Sequence, residues 1–522
     1  MECTCVRYTD LPGASRLLAD FLYHPDRVER FYPNLAHRPE SFTQAAHAAC
    51  MTPERRAALV SALRKLNGDS RTLDLLAQEG TAAVVTGQQV GLFSGPAYTI
   101  YKALTAVHLA ERLTGQGIPA VPVFWLATED HDFAEVNHVW MFDGEGRPAE
   151  LRVNGNFAGK PVGEVPLASL PDWNGVLSGL PFANEAAALI QRAYQPGRTM
   201  GQAFGDLLRA LTSRYGLIQI DPMHPDIRAL AAPLIRNALD AAPDLTNGVL
   251  ERNKELEAAG YHAQVHVEPH TSLVFLLENG RRLALRRTGS DYQINGRVLT
   301  VPELKDRAEH LSPNALLRPV VQDCILPTVA YVGGPAELAY LAQSEVIYRH
   351  LLGRMPVPVH RAGFTLLDQR GAKLMQRYGL TLTDVLHPEA ELRERMGRRL
   401  TPPALASALE GTRAKVLEAT QGLHREMAGF DPGLAAALEK SRRKIEYQIS
   451  KMERKTSREM LQRDARAAQH AAYLHNLLFP EKHLQERLYS IIPFLAQHGL
   501  DLVDRLYENV HLDCSDHQLL VV

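Results

Sequence analysis

Cysteine is scarce: five residues in a chain of 522. That is too few to staple a chain of this length, so a disulfide scaffold is excluded and a reducing cytosol is the expected setting. An excess of one charge is also lacking. Lys and Arg number 57 against 59 Asp and Glu, a net charge of −2. A nucleic-acid footprint needs a basic surplus, so no nucleic-acid partner is expected. General disorder needs low hydrophobicity and high net charge, whereas 45% of residues here are hydrophobic. No run reaches the roughly 18 apolar residues of a membrane span. The opening MECTCVRYTDLPG has no apolar stretch of the secretory kind. A cytoplasmic protein without a membrane partner is therefore expected. Cys3 and Cys5 form a lone C-x-C, which reads as two free thiols near a chain end rather than a zinc site.

What is present divides into segments. Length alone suggests about three folding units. Residues 1–80 read as helical: Arg16–Phe21 and Pro53–Leu66 place apolar residues at i, i+3, i+4, and Thr52-Pro53 resembles an N-cap with a first-turn proline. The pattern then changes. Thr81–Thr86 is a short apolar strand, Gly87–Pro96 a glycine-rich turn, Ala97–Arg112 a helix and Ala120–Ala127 a second apolar strand. Strand, helix, strand with both strands apolar throughout is a βαβ unit of a parallel sheet. Core signals return over 201–261 and 312–375, between expected insertions at 145–200 and 262–311. The fold class is thus α/β, a doubly wound parallel sheet whose first half spans 81–144. Residues 376–476 form a helical arm, with Asp431-Pro432-Gly433 turning one helix into another, and 477–522 a C-terminal region. Ile445, Ile449, Met452 and Thr456 follow coiled-coil a/d spacing. Glu439–Arg466 holds ten Lys or Arg against five acids, which suits a solvated helix face or a contact with a polyanion or nucleotide.

In open α/β sheets ligands sit beyond the carboxyl ends of strands. Two segments emerge there. The first is Thr86–Pro96, where Gly87, Gln88, Gln89 and Gly91 let backbone approach a ligand and the next helix offers its positive end and Lys102. Its spacing matches neither the GxxxxGK[ST] phosphate loop nor GxGxxG, and a merely tight turn is the plainer alternative. The second follows Trp125 and Ala127: Glu129, Asp130, His131 and Asp132, with Asn137 further on. Three acids and a histidine in four positions need a partner, which Mg²⁺, a substrate ammonium or proton transfer would supply. A capped helix start at Thr128 or Asp130 explains the acids but not His131. Asp130, His131 and Asp132 are the candidate catalytic residues. A third cluster supplies Arg318, whose fork suits a carboxylate or phosphate, with Gln322 and Asp323. Gly333, Gly334 and Glu337 repeat the strand–glycine–helix logic. Cys324 reads as a small buried residue. His262, His266 and His270 share i, i+4 spacing, but alternation and Pro269 favour a strand over a metal site. Lys451–Ser457 superficially resembles the KMSKS loop, yet it lies within the heptads of the arm.

Four segments together resemble the BshC family, the cysteine-adding enzymes of bacillithiol biosynthesis. They are TGQQVGLFSGPAYTIYKAL (Thr86–Leu104), PVFWLATEDHDFAEVNHV (Pro122–Val139), SPNALLRPVVQDCILPTVAYVGGPAELAYLAQ (Ser312–Gln343) and the arm. The resemblance covers nearly the whole chain. It implies a Rossmann-like core with connecting-peptide insertions and an antiparallel coiled coil that promotes a homodimer. It also implies addition of L-cysteine to glucosaminyl-malate, the last step to bacillithiol. The family's catalytic residues are not carried over; the site residues named here rest on the strand-end argument. Joining a carboxylate to an amine requires activation of the acid, for which ATP or another nucleotide is expected and Mg²⁺ is a candidate companion. A base, His131 or a flanking carboxylate, must take a proton from the ammonium. Two other readings stand beside this one: a different nucleotide-dependent ligase or nucleotidyltransferase on the same core, and a non-catalytic dimeric scaffold.

Overall fold

The two apolar runs become the centre of a five-stranded parallel sheet. The computed structural model describes residues 2–522. Strands β1 (Ala82–Gln89), β2 (Ala120–Ala127), β3 (Ile218–Ile220), β4 (Thr328–Gly333) and β5 (Val357–His360) pair in the order β5-β4-β1-β2-β3, all parallel. Helices cover both faces of such a sheet, so successive residues, and not alternate ones, must be apolar. β1 and β2 meet that demand: residues 82–87 and 121–126 are buried without a break. Helix α1 (Tyr98–Gly115) connects β1 to β2, and α2 (Arg318–Ile325) precedes β4. Helix α3 (Pro335–Leu351) connects β4 to β5. The two crossovers leave β1 and β4 in opposite directions, so a crevice opens at the carboxyl ends of these neighbouring strands.

Two insertions interrupt the sheet, and the second walls that crevice. Between β2 and β3 come the hairpin His138–Phe142 with Pro148–Arg152 and the helices Ala183–Ala193 and Met200–Thr212. Between β3 and β4 come two helices, Pro225–Asp240 and Ala242–Ala258, divided at Ala241. An antiparallel sheet follows, and its hairpin Thr271–Glu278 with Arg281–Thr288 reaches the crevice.

The chain ends depart from expectation. The N-terminal region, read as helical, opens with the strand Glu2–Val6, antiparallel to His517–Val521, which runs parallel to Phe364–Leu367. The pairing joins segments about five hundred residues apart, beyond any local pattern. In the arm, α4 (Pro403–Phe430) turns at Asp431, whose carboxylate caps α5 (Pro432–Arg463). α5 stops at Asp464, which caps a separate helix, Ala465–Leu478. Ile445 and Met452, expected in the seam, are 43% and 52% exposed and face outward. The close approach lies elsewhere: a Cβ added at Gly397 would overlap the Ser457 carbonyl of α5.

Candidate functional site

A cavity of about 770 Å³ occupies the crevice at the ends of β1, β2 and β4. It is lined by Gly87, Gln88 and Gln89 from β1, Trp125 and Glu129–Asp132 at β2, and Arg318, Gly334 and Glu337 around β4, together with Lys102 of α1. Twelve of the seventeen residues singled out in the sequence thus meet in one place.

The β2 end is a dense polar network. Asp130 accepts from Gln89 Nε2 at 2.6 Å and from the His131 backbone N–H at 2.7 Å, and Arg282 lies 3.5 Å away. Burial alone would raise its pKa, but these hydrogen bonds and the Arg282 charge hold the carboxyl well below the usual carboxylate range. Arg282 also donates to Ser312 Oγ, the Pro313 carbonyl and His131 Nδ1, the last at 3.1 Å. A guanidinium has no acceptor atom, so Nδ1 accepts and a neutral His131 carries its proton on Nε2. Glu129 is buried. One oxygen takes the Ser312 hydroxyl at 2.8 Å and the other, Oε1, has no hydrogen-bond partner among the described residues. Burial raises its pKa, against the opposing charge of Arg282. The helix cap foreseen at Thr128 or Asp130 falls on Asp132, whose carboxylate accepts from Glu135 N–H at the start of Phe133–Val136. Thr128 donates instead to Asp221.

At the β4 side, Lys102 is almost wholly buried, and Nζ contacts the Gly87 carbonyl at 2.5 Å, Gln88 Oε1 at 3.2 Å and Glu337 at 2.6 Å. Three donors meet three protein acceptors, so this cation ties β1 to α3. Glu337 also caps α3 by accepting from Gly334 N–H at 2.7 Å and takes the Tyr331 hydroxyl at 2.6 Å. Burial works against ionisation, but Lys102 and these donors keep the carboxyl below its ordinary range. Arg318 differs. Its partners are Gln322 Oε1 at 2.9 Å and the hydroxyls of Tyr331 and Tyr340 at 3.3 and 3.2 Å. Among the described residues no carboxylate lies within 4.0 Å of it, and the ring of Trp125 is 6.0 Å away.

Gly91, Asn137, Gln322, Asp323 and Gly333 lie outside the cavity lining. The glycine-rich loop turns inward: Phe93 N–H donates to Tyr194 OH, and the Phe93 carbonyl accepts from Ser490. Gly87 is required by packing, since a Cβ there would come within 2.8 Å of the Trp125 carbonyl. Gln322 stands behind Arg318, Asp323 bonds Tyr348 in the core, and Asn137 accepts from Arg152. Among the described residues no three His, Cys, Asp or Glu side chains are grouped to hold a metal, the histidines at 262, 266 and 270 included. Sequence reasoning missed Arg282, Arg361, Tyr340 and Arg487, all of which line the cavity. Arg361 follows β5 directly, a strand-end position that could have pointed to it.

The sheet order, the crevice at its switch point and the helical hairpin define a Rossmann-like α/β protein with a coiled-coil arm. Two family models match: bacillithiol biosynthesis BshC, N-terminal Rossmann-like domain, over residues 1–362, and bacillithiol biosynthesis BshC, C-terminal coiled-coil domain, over 364–522. The chain belongs to the BshC family. It is 58% identical, over all of both chains, to the protein of Solibacter usitatus named "Putative cysteine ligase BshC". Proteins of the same name from Koribacter versatilis and Symbiobacterium thermophilum are 35% and 33% identical, over 99% and 96% of both chains.

Proposed function

We propose that this chain is a cytoplasmic ligase that joins the carboxyl group of L-cysteine to the free amine of glucosaminyl-malate, forming the amide of bacillithiol. The observation that carries the reading is Arg318: a guanidinium facing a 770 Å³ cavity with no carboxylate partner among the described residues. A half-buried cation without a carboxylate counter-ion favours an anionic ligand, and its planar fork matches a carboxylate in two-pronged fashion. Both substrates carry carboxylates, and the cavity volume suits an amino-sugar conjugate beside an amino acid.

The amine must lose a proton to attack. His131 Nδ1 is occupied by the Arg282 donor, so in this arrangement the imidazole orients and does not accept. Glu129 fits the task better: its carboxyl has one unpaired oxygen, and burial brings its pKa upward, toward the range where a general base works. Asp130, held at low pKa, serves to attract the ammonium. Activation of the cysteine carboxyl calls for a nucleotide such as ATP. Mg²⁺ would come with its phosphates, and one or two carboxylates suffice to hold it. Asp130 and Glu135, which share Gln89 Nε2 at 2.6 and 2.8 Å, offer such a pair. The outward Ile445 and Met452 on the arm support a homodimer built through α5.

The test supplies purified protein with L-cysteine, glucosaminyl-malate, ATP and Mg²⁺ and follows the thiol product by mass spectrometry. Product that depends on all four supports the reading. Turnover with another amine acceptor in its place, or none while a cell lacking the protein accumulates no glucosaminyl-malate, overturns it.

A further inference from the structure

The three-stranded sheet that joins the chain ends brings two distant thiols together. Cys5 sits on the exposed edge strand Glu2–Val6, and Cys514 lies in the turn just before the partner strand His517–Val521. Their Sγ atoms are 3.5 Å apart across 509 residues of sequence. Cys514 is held in place from both sides: Asp513 pairs with Arg112 at 2.7 Å, and Asp516 accepts from Tyr23 OH at 2.7 Å. On the other strand, backbone pairing of Cys5 with Gln518 fixes the position of Cys5. A disulfide has sulfurs about 2.0 Å apart, so side-chain rotation of both cysteines must close about 1.5 Å without moving either strand. Cys3, the neighbouring thiol on the same face, donates to Gln518 Oε1 at 3.3 Å. Cys50 and Cys324 lie in other parts of the fold: the Cys50 thiol bonds the His47 carbonyl, and Cys324 Sγ lies against Arg55.

We propose that Cys5 and Cys514 are a thiol–disulfide exchange site, oxidised by the disulfide form of a low-molecular-weight thiol and closing a cross-link between the two ends of the chain. Cys5, the more exposed of the two, attacks one sulfur of the small disulfide as its thiolate. Its own proton passes to solvent, a mixed disulfide forms, and one small thiolate leaves and is protonated. The Cys514 thiolate then attacks the Cys5 sulfur and expels the second small thiolate, which takes up the proton Cys514 lost. Two protein thiols and one small disulfide become one protein disulfide and two small thiols. The cross-link pins an edge strand otherwise held by a five-residue ladder.

The site does not depend on which substrates the cavity accepts, and its test is separate. The full-length protein is equilibrated with bis(2-hydroxyethyl) disulfide and 2-mercaptoethanol at graded ratios, quenched by alkylation, and read by intact mass and peptide mapping. The expected result is loss of two hydrogens and a linked peptide containing Cys5 and Cys514, reversed by excess thiol. Cys3→Ser should leave the cross-link intact, while Cys5→Ser and Cys514→Ser should each abolish it. The oxidised wild type should also unfold at higher temperature than the reduced form. Five alkylated thiols at every ratio, or a cross-link mapped to Cys3 and Cys5 or between two chains, overturns the proposal.

Discussion

The Arg282 guanidinium donates to His131 Nδ1 across 3.1 Å, joining the hairpin of the second insertion to the carboxyl end of β2. The same side chain lies 3.5 Å from Asp130 and shares Ser312 with Glu129. One arginine thereby sets the tautomer of the imidazole and the charge balance of both acids.

This arrangement separates two candidate bases by experiment. His131→Gln keeps an acceptor for Arg282 and should lower kcat less than Glu129→Gln, which removes the proton acceptor. A general base contributes roughly 10²–10⁴-fold, and the Glu129 variant should lose on that order. Activity of the wild type should rise with pH through the raised pKa of Glu129, because only the ionised form accepts a proton. Arg282→Met removes the charge that opposes burial, so the acid limb of the profile should move to higher pH. An unmoved limb in Arg282→Met, with full turnover in Glu129→Gln, returns the role to His131.

Asp132 tests a different distinction. It caps the one-turn helix Phe133–Val136, so Asp132→Ala should cost about 0.5–2 kcal/mol of stability if capping is its whole role. Denaturant unfolding together with kcat decides this: a turnover loss larger than the shared loss of stability assigns it to the chemistry.

Lys102 and Arg318 should respond in opposite ways. Lys102 is spent on Gly87, Gln88 and Glu337, and removing it strands a carboxylate among buried groups. Breaking one side of a buried pair costs about 3–5 kcal/mol, so Lys102→Met should unfold at markedly lower denaturant. Lys102→Met combined with Glu337→Gln should recover part of that loss. Arg318→Ala removes no ion pair and should leave the unfolding midpoint near that of the wild type, while raising KM for the anionic substrate it binds. Equal destabilisation of both single variants contradicts the assignment.

The sheet core was legible because its strands are unbroken apolar runs that a single-sequence reading can find; β2 falls on Ala120–Ala127 as expected. The strand-end rule then located Glu129–Asp132, Arg318 and Glu337. Arg282 escaped because it lies in RRLALRRT, an alternating strand that looks like a solvated edge. Only tertiary packing brings it to His131, 151 residues away. Gly91 lies outside the cavity lining for the converse reason. Glycine marks a close approach of backbone without saying to what, and here the loop closes on Tyr194 and Ser490 in the protein's own interior. The outward turn of Ile445 was hidden because a heptad pattern names a stripe and not the surface that stripe faces.

That outward stripe carries the assembly prediction. Ile445→Asp with Ile449→Asp should shift the protein from dimer to monomer in sedimentation while leaving the thermal transition of the α/β core in place. Ile445 is 43% exposed on one chain, so a charge there costs little unless a second copy covers it. A monomeric wild type, or a dimer unaffected by the double change, removes the arm as the interface.

Acid should weaken the fold through its buried histidines. Burial, reinforced by the Arg361 charge, lowers the pKa of His360 to about 3, and burial lowers that of His498 to about 4. His517 is lowered for the same reason. An unfolded histidine titrates near 6.5, so between these values the unfolded chain binds more protons than the native one. Stability therefore falls as pH drops below about 6.5, by up to about 1.4 kcal/mol per pH unit for each such histidine. The loss levels off only near pH 3–4, once the native imidazoles are also charged. Glu337 and Glu486, both held below their ordinary range by buried cations, add their own loss only below about pH 4.5. Glu129, Asp221 and Asp323, whose carboxyls burial raises, bind protons more readily in the native state and oppose this loss. Urea midpoints measured from pH 7 to pH 4.5 report the balance, and the histidines contribute its falling part. His360 packs edge-on against Tyr8 with ring centroids 4.8 Å apart, and its Nε2 has no hydrogen-bond partner among the described residues, so phenylalanine suits the site. His360→Phe should flatten the slope in this range while keeping the pH 7 midpoint close to wild type. A slope unchanged by that substitution places the acid sensitivity elsewhere.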